Sequence, residues 1–230
     1  TLLSATTCGQ TVAIGPYAGT LTTFIQQSVL IGYRVSQTGT AAIGDIVAIG
    51  WRVLNNGSSG QHNTIIGSAA GYFNTTGGYN TSLGSQSMQC ITNVCSNSVA
   101  VGYYAAYQSA DSMVAIGYQA CKQTVAAGTV GIGYNALTVH TSGVGNTAVG
   151  YSALAANTTG ANNTALGYNA LTTNISGAGN VAIGTSALSA NVGTLNTAVG
   201  YNATVSSAII TNSTALGNGA IATASNQVML

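Results

Sequence analysis

Asn146-Thr147-Ala148-Val149-Gly150-Tyr151-Ser152-Ala153-Leu154 decides the fold, because variants of this phrase recur along almost the whole chain. Anchored on the glycine that closes (Val/Thr)-x-(Ile/Val/Leu)-Gly, thirteen copies fall at Gly15, Gly32, Gly50, Gly67, Gly84, Gly102, Gly117, Gly133, Gly150, Gly167, Gly184, Gly200 and Gly217. Their spacings run from 15 to 18 residues, with a mean near 16.8. A fixed period of this kind signals a repeat architecture, in which each unit buries its apolar face only against its neighbours.

The columns of the repeat show what each unit is. Three positions before the anchor stands Val or Thr in every copy, and one position before it a branched aliphatic residue, with mostly Ala between them. β-Branched residues at alternate positions mark a short strand with one packed face, and the small residue between them predicts close approach of another surface on the other face. One position after the anchor is an aromatic column, with Tyr33, Trp51, Tyr103, Tyr118, Tyr134, Tyr151, Tyr168 and Tyr201. Small residues such as Ala136 and Ala170, and then apolar ones such as Leu54, Leu137, Leu154, Leu171 and Leu188, continue each copy. The remainder is Asn, Thr, Ser and Gly, which is turn chemistry. Each period therefore predicts two short strands and two turns. About 17 residues cannot hold a helix pair, whose repeats run to roughly 33 or more. The expectation is an all-β parallel solenoid of about 13 coils, stacked at about 4.8 Å per strand. A second copy of the phrase, Ala41-Ala42-Ile43-Gly44, lies six residues before Gly50 and reads as part of a turn, with Gly44 as an alternative anchor.

The composition narrows function. The chain has 230 residues, 46% of them hydrophobic, yet only three Lys/Arg and two Asp/Glu, for a net charge of +1. Disorder is excluded by this apolar content, and nucleic-acid binding by the lack of cations to displace counterions. Every apolar run is broken well short of the roughly 18 to 20 residues of a membrane helix. The first residues do not form a secretory signal. A single Pro excludes a collagen triple helix.

Asn180-Val181-Ala182-Ile183-Gly184, Asn97-Ser98-Val99-Ala100-Val101-Gly102 and the phrase at 146–154 resemble the repeats of YadA-like head domains, found in trimeric autotransporter adhesins and, in related form, in phage and viral trimeric fibres. The resemblance covers about residues 10–220. It implies a left-handed parallel β-roll that assembles as a homotrimer and serves as an extracellular fibre or adhesive head. This chain differs in its longer period, and it has no heptad stalk or membrane anchor, so self-export is not expected. Residues 221–230 look like the segment that leads, in many fibre proteins, into a self-cleaving intramolecular chaperone. The domain reading is a lead-in or joint over 1–10, the roll over 11–220 and this tail over 221–230.

A thin coil with this apolar share leaves an exposed stripe longer than soluble monomers tolerate, so a closed oligomer is expected independently, and the resemblance favours three chains. Catalysis is not expected. Asp45 and Asp111 lie about four coils apart, and no acidic residue neighbours His62 or His140 in sequence. Gly128-Thr129-Val130-Gly131-Ile132-Gly133 superficially resembles a phosphate loop, but no helix pattern follows it. Neither a cofactor nor a metal is expected. Cys90 and Cys95 bracket one long turn and are candidates for a local disulfide, whereas Cys8 and Cys121 are too far apart to pair within a chain. Arg34 and Arg52 share a column in adjacent coils and read as a solvated or Asp45-bridged pair, with a ligand site as the alternative. The sequons at Asn56, Asn74, Asn80, Asn157, Asn162, Asn174, Asn202 and Asn212 are candidate N-glycosylation acceptors. The functional expectation is a structural, extracellular fibre or adhesive head on a virion appendage or cell surface, with end-to-end assembly open. The alternatives are a glycan- or receptor-binding module built on the aromatic column and the Asn/Thr-rich turns, and an ice-binding solenoid built on the Thr column.

Overall fold

In the computed structural model the described residues are 7–20, 24–36, 42–56, 59–90, 94–108, 111–190 and 193–230. Among them there are nineteen short strands and no helix. The chain is a parallel β-solenoid of about 12 turns, fewer than the 13 expected, since thirteen anchors delimit only twelve intervals.

The chain comprises two units, Thr1–Ile116 and Gly117–Leu230. In the first, the main sheet is built from Val12–Ile14, Val29–Tyr33, Val47–Trp51, Thr64–Ile66, Thr81–Leu83, Val99–Val101 and Val114–Ile116. In the second it is built from Val130–Ile132, Thr147–Val149, Thr164–Leu166, Val181–Ile183, Thr197–Val199, Thr214–Leu216 and Val228–Met229. Pairing follows the repeat columns residue for residue: Thr147 faces Thr164, Ala148 faces Ala165 and Val149 faces Leu166.

The side of the strand that faces inward differs from the expectation. The Ala column is buried from the second coil on, as at Ala48, Ala148, Ala165 and Ala182, with Ala13 partly buried, while the flanking Val/Thr and Ile/Val/Leu columns point outward and none of their members is buried. The interior is too thin for a bulky residue on both walls. Several coils combine a small strand residue with a buried Leu six positions on, as Ala48 with Leu54 or Ala148 with Leu154, whereas others have Ala100 with Ala106 or Ala115 with Cys121, and an added Cβ at Gly131 would meet the Cys121 side chain. Where the strand supplies Ile65, the opposite wall has Gly71, at which an added Cβ would lie 3.3 Å from the Ile65 side chain. In the coil of Ile65 and in those with Leu, a large residue in one column accompanies a small one in the other, as close packing requires.

The second segment of each period is mostly not a strand. It is a run of turns in which alternate residues take left-handed backbone, such as Ser152 (φ 51°) and Leu154 (φ 51°). Their amides bond to opposite neighbours: Ser152 N–H donates to the Tyr134 carbonyl at 2.8 Å and Leu154 N–H to that of Ala170 at 3.0 Å. Left-handed backbone is disfavoured for bulky residues, and these inter-coil bonds hold it in place. True second strands occur in two places. Thr7–Gly9, Phe24–Gln26 and Ala42–Gly44 form a three-stranded sheet, and Thr204–Val205 pairs with Ile221–Ala222. Gly44 therefore ends a strand of a second sheet rather than lying in a turn, and Gly50 keeps the anchor in the main sheet. Within the expected lead-in, residues 7–9 already pair into the solenoid, while residues 1–6 lie outside the described residues. The expected tail is likewise stacked: Val228–Met229 pairs with Thr214–Ala215.

Candidate functional site

The interior is held by side-chain amides. Asn63, Asn80, Asn146, Asn163, Asn180 and Asn196 occupy the position just before the strand and are buried. Each Oδ1 in the second unit's run accepts the backbone N–H of the next coil: Asn163 N–H bonds Asn146 Oδ1, Asn180 N–H bonds Asn163 Oδ1 and Asn196 N–H bonds Asn180 Oδ1, all at 2.9 Å. Each Nδ2 donates to a turn carbonyl, as Asn163 does to Gly177 at 2.8 Å. A second row, with Asn157 and Asn174, lies where the turn run ends, and Asn174 Nδ2 donates to Asn157 Oδ1 at 3.1 Å. The sequence reading treated these asparagines as turn residues; the available signal was their recurrence four positions before the anchor.

This burial corrects the glycosylation expectation. Asn74, Asn80, Asn157 and Asn174 are enclosed and hydrogen-bonded, so their amides are not presented to an enzyme. Asn162, Asn202 and Asn212 are exposed and Asn56 is half-buried, which leaves these four as candidates.

His140 stands in the second row in place of an Asn. Its Nε2 lies 3.0 Å from Asn146 Nδ2, while its Nδ1 is buried without a partner. Burial holds its pKa below the ordinary value, opposed by a backbone hydrogen bond at Gly143. The folded chain thus favours the neutral ring, and below about pH 6.5 the unfolded chain gains a proton that the folded one resists. Stability is expected to fall on acidification through that range, by up to about 1.4 kcal/mol per pH unit. His140→Asn should flatten the slope and raise stability at pH 5, as read from urea midpoints at pH 5 and 7.5.

Cys90 and Cys95 are joined as a disulfide, with Cα atoms 5.8 Å apart. Replacing both with Ala is expected to cost about 2 kcal/mol, measured by urea unfolding, because the short loop they close is released in the unfolded chain. Cys121 is buried with its pKa pushed up to about 12 by desolvation, against a hydrogen bond from Thr124, so it stays a thiol. Nothing is described of the Cys8 side chain. No group of three or more His, Cys, Asp or Glu side chains that could hold a metal occurs among the described residues. No helix among them is long and apolar enough to cross a membrane.

The charged groups are arranged differently from the sequence reading. Asp45 does not bridge Arg34 and Arg52. Its Oδ2 lies 3.5 Å from Nδ1 of His62, one coil away, and that ring stacks on Tyr79 at 4.7 Å. This brings an acid to His62 that sequence neighbours did not show, because the period places residues 45, 62 and 79 in one column. Arg34 instead lies over Tyr33 and Tyr17, at 5.3 and 5.9 Å from the ring centroids, and Arg52 over Trp51 at 4.8 Å.

In the second unit, Tyr118, Tyr134, Tyr151 and Tyr168 stack face to face, with centroids 4.9, 5.0 and 5.1 Å apart. The stack stops where Thr185 occupies the column. Each inner ring covers its neighbours' faces and offers solvent only its edge and hydroxyl, whereas sugars stack on open faces. Outside that stack, Trp51 is half-exposed with Arg52 over its ring, and Tyr79, stacked on His62, borders a shallow depression with Gln61, Thr76, Ser96 and Asn97.

No family model matches the chain, and no curated protein matches it either.

Proposed function

We propose that the protein is a structural fibre or adhesive head, extracellular and non-catalytic, built as a left-handed trimeric roll. One observation carries this reading: the outer face of each main sheet. In every coil it presents one Val/Thr and one Ile/Val/Leu side chain, including Ile14, Leu83, Ile116, Leu166, Ile183 and Leu216, all exposed. Repeated through seven strands in each unit, this surface exceeds the few hundred Å² of a single tolerated patch and suits closed packing of identical chains. The scarcity of ionisable groups supports the absence of catalysis. Native mass spectrometry and sedimentation of the chain should give the mass of three copies, and Leu166→Glu with Ile183→Glu should dissociate them. A stable monomer of the parent chain would overturn the reading.

A second reading, a glycan-binding module, is favoured by the exposed rings of Trp51 and Tyr79 and disfavoured for the stacked Tyr column. The ice-binding reading rests on the outward Thr147, Thr164, Thr197 and Thr214, whose neighbours on that face are aliphatic. A lack of thermal hysteresis would close it.

A further inference from the structure

Arg34 and Arg52 occupy the second position after the anchor in adjacent coils, a column in which backbone φ is positive throughout (54° at both). From Gly117 onward the same column carries Gln119, Asn135, Ser152, Asn169, Ser186, Asn202 and Gly219, short or amide residues better suited to that backbone. Tyr17 and Tyr104 share this backbone in the first unit, so what sets the two arginines apart is the electrostatic cost of like charges in adjacent coils. They are two of only three Lys/Arg in the chain, and among the described residues neither is paired with a carboxylate: Asp45 lies beside His62, and Asp111 accepts the Ser96 N–H at 2.8 Å. The Nε–H of each arginine is buried without an acceptor. The two guanidinium groups, held over aromatic rings with Nε enclosed, leave an anion from solvent only their terminal amino groups to meet. Carboxylate and sulfate groups suit such paired cations, since they accept from guanidinium amino groups and supply the missing negative charge.

We infer that Arg34, Arg52 and Trp51 form a binding site for an acidic saccharide, one bearing carboxylate or sulfate groups. The anion bridges the two arginines and a sugar ring lies against Trp51, which is 47% exposed. A saccharide fits better than an acidic peptide because an exposed aromatic ring, Trp51, stands beside the two cations. The following coils place Ser68, Ser85 and Gln86, with Ala69, in the same two columns, adding hydrogen-bonding groups at coil spacing. The site lies wholly within the first unit. It is independent of the fibre reading, since it needs neither a second chain nor any particular assembly.

Trp51 is the sole tryptophan, so its fluorescence reports on this site alone. Titration of the full chain with dextran sulfate or oligogalacturonate should give a saturable change in emission that weakens with added salt. Neutral dextran should give none at the same concentration. Arg34→Gln and Arg52→Gln should each weaken binding about tenfold, consistent with the loss of one charge-assisted contact. The double variant should abolish the signal, while Lys122→Gln should leave it unchanged. Circular dichroism melts of each variant separate loss of binding from loss of fold. The inference is overturned if neutral dextran binds as well as its sulfate, if the folded double variant still binds, if inorganic sulfate alone reproduces the full response at equal concentration, or if polyglutamate binds more tightly than either saccharide.

Discussion

Gly150→Ala is expected to remove about 4 kcal/mol or more from unfolding stability, enough to unfold a marginal chain outright. Gly150 has φ +139°, a conformation that side-chain-bearing residues rarely adopt, and an added Cβ would overlap the carbonyl oxygen of Gly167 in the next coil. The backbone cannot retreat, because Gly150 N–H donates to the Ile132 carbonyl at 2.7 Å on the other side. Alanine therefore pays for strain and for overlap together, and relief of either breaks the register of the adjoining strands. Gly128→Ala is the matched control. Gly128 also has positive φ, at +70°, but nothing lies within 4 Å of an added Cβ, so its cost should be about 1 kcal/mol. Urea unfolding followed by circular dichroism checks both. Equal costs at the two positions would show that close approach of the coils is not what requires glycine at the anchor.

The second large effect is expected within the asparagine row. Asn163→Leu should cost about 3 kcal/mol, because it leaves the Asn180 N–H buried without an acceptor and also removes the Asn180 Nδ2 and Gly177 bonds of the amide, Gly177 keeping only its bond from Asn174. Asn163→Asp is the more informative change. Its shape is nearly conserved and an oxygen can still accept from Asn180, but the donor to Gly177 is gone and a charge is enclosed. Burial would push the carboxyl pKa above its ordinary value near 4, so the folded state would hold a proton that the unfolded chain releases as pH rises. The variant should therefore be more damaged at pH 7 than at pH 4, the reverse of the trend expected from His140. Asn162→Asp, one residue away but exposed, should change stability by no more than about 0.5 kcal/mol. Urea midpoints across pH measure all three.

These residues also mark where sequence reading succeeds and where it stops. The period, the parallel strand and the anchor glycine are legible because a repeated backbone constraint forces the same residue type into the same column. The inward face was misread at Ala148 and its equivalents. Alternation of bulky and small residues shows that two faces differ, but which one is interior depends on the distance to the opposite wall, and that is set by Leu154 across the coil. Asn163 was illegible for a related reason: an amide that caps a turn in water and an amide that bridges two coils are the same letter. His62 and Asp45 became neighbours only once the period was applied to isolated polar residues, and Arg34 and Arg52 showed their missing counter-ions only once Asp45 was placed elsewhere.

The spacing between anchors varies from 15 to 18 residues, yet each strand keeps its pairing with the next. Length differences are taken up in the turns, and hydrogen bonds from any coil reach only its immediate neighbours. A coil is therefore a removable unit of heredity. Deleting or duplicating one whole period joins two edges that already match, whereas losing a few residues inside a strand shifts every column after it. Variation in such a chain is expected to come in whole coils, with ligand-bearing columns such as that of Arg34 and Arg52 moved, copied or lost as blocks, while the stack around them closes up unchanged.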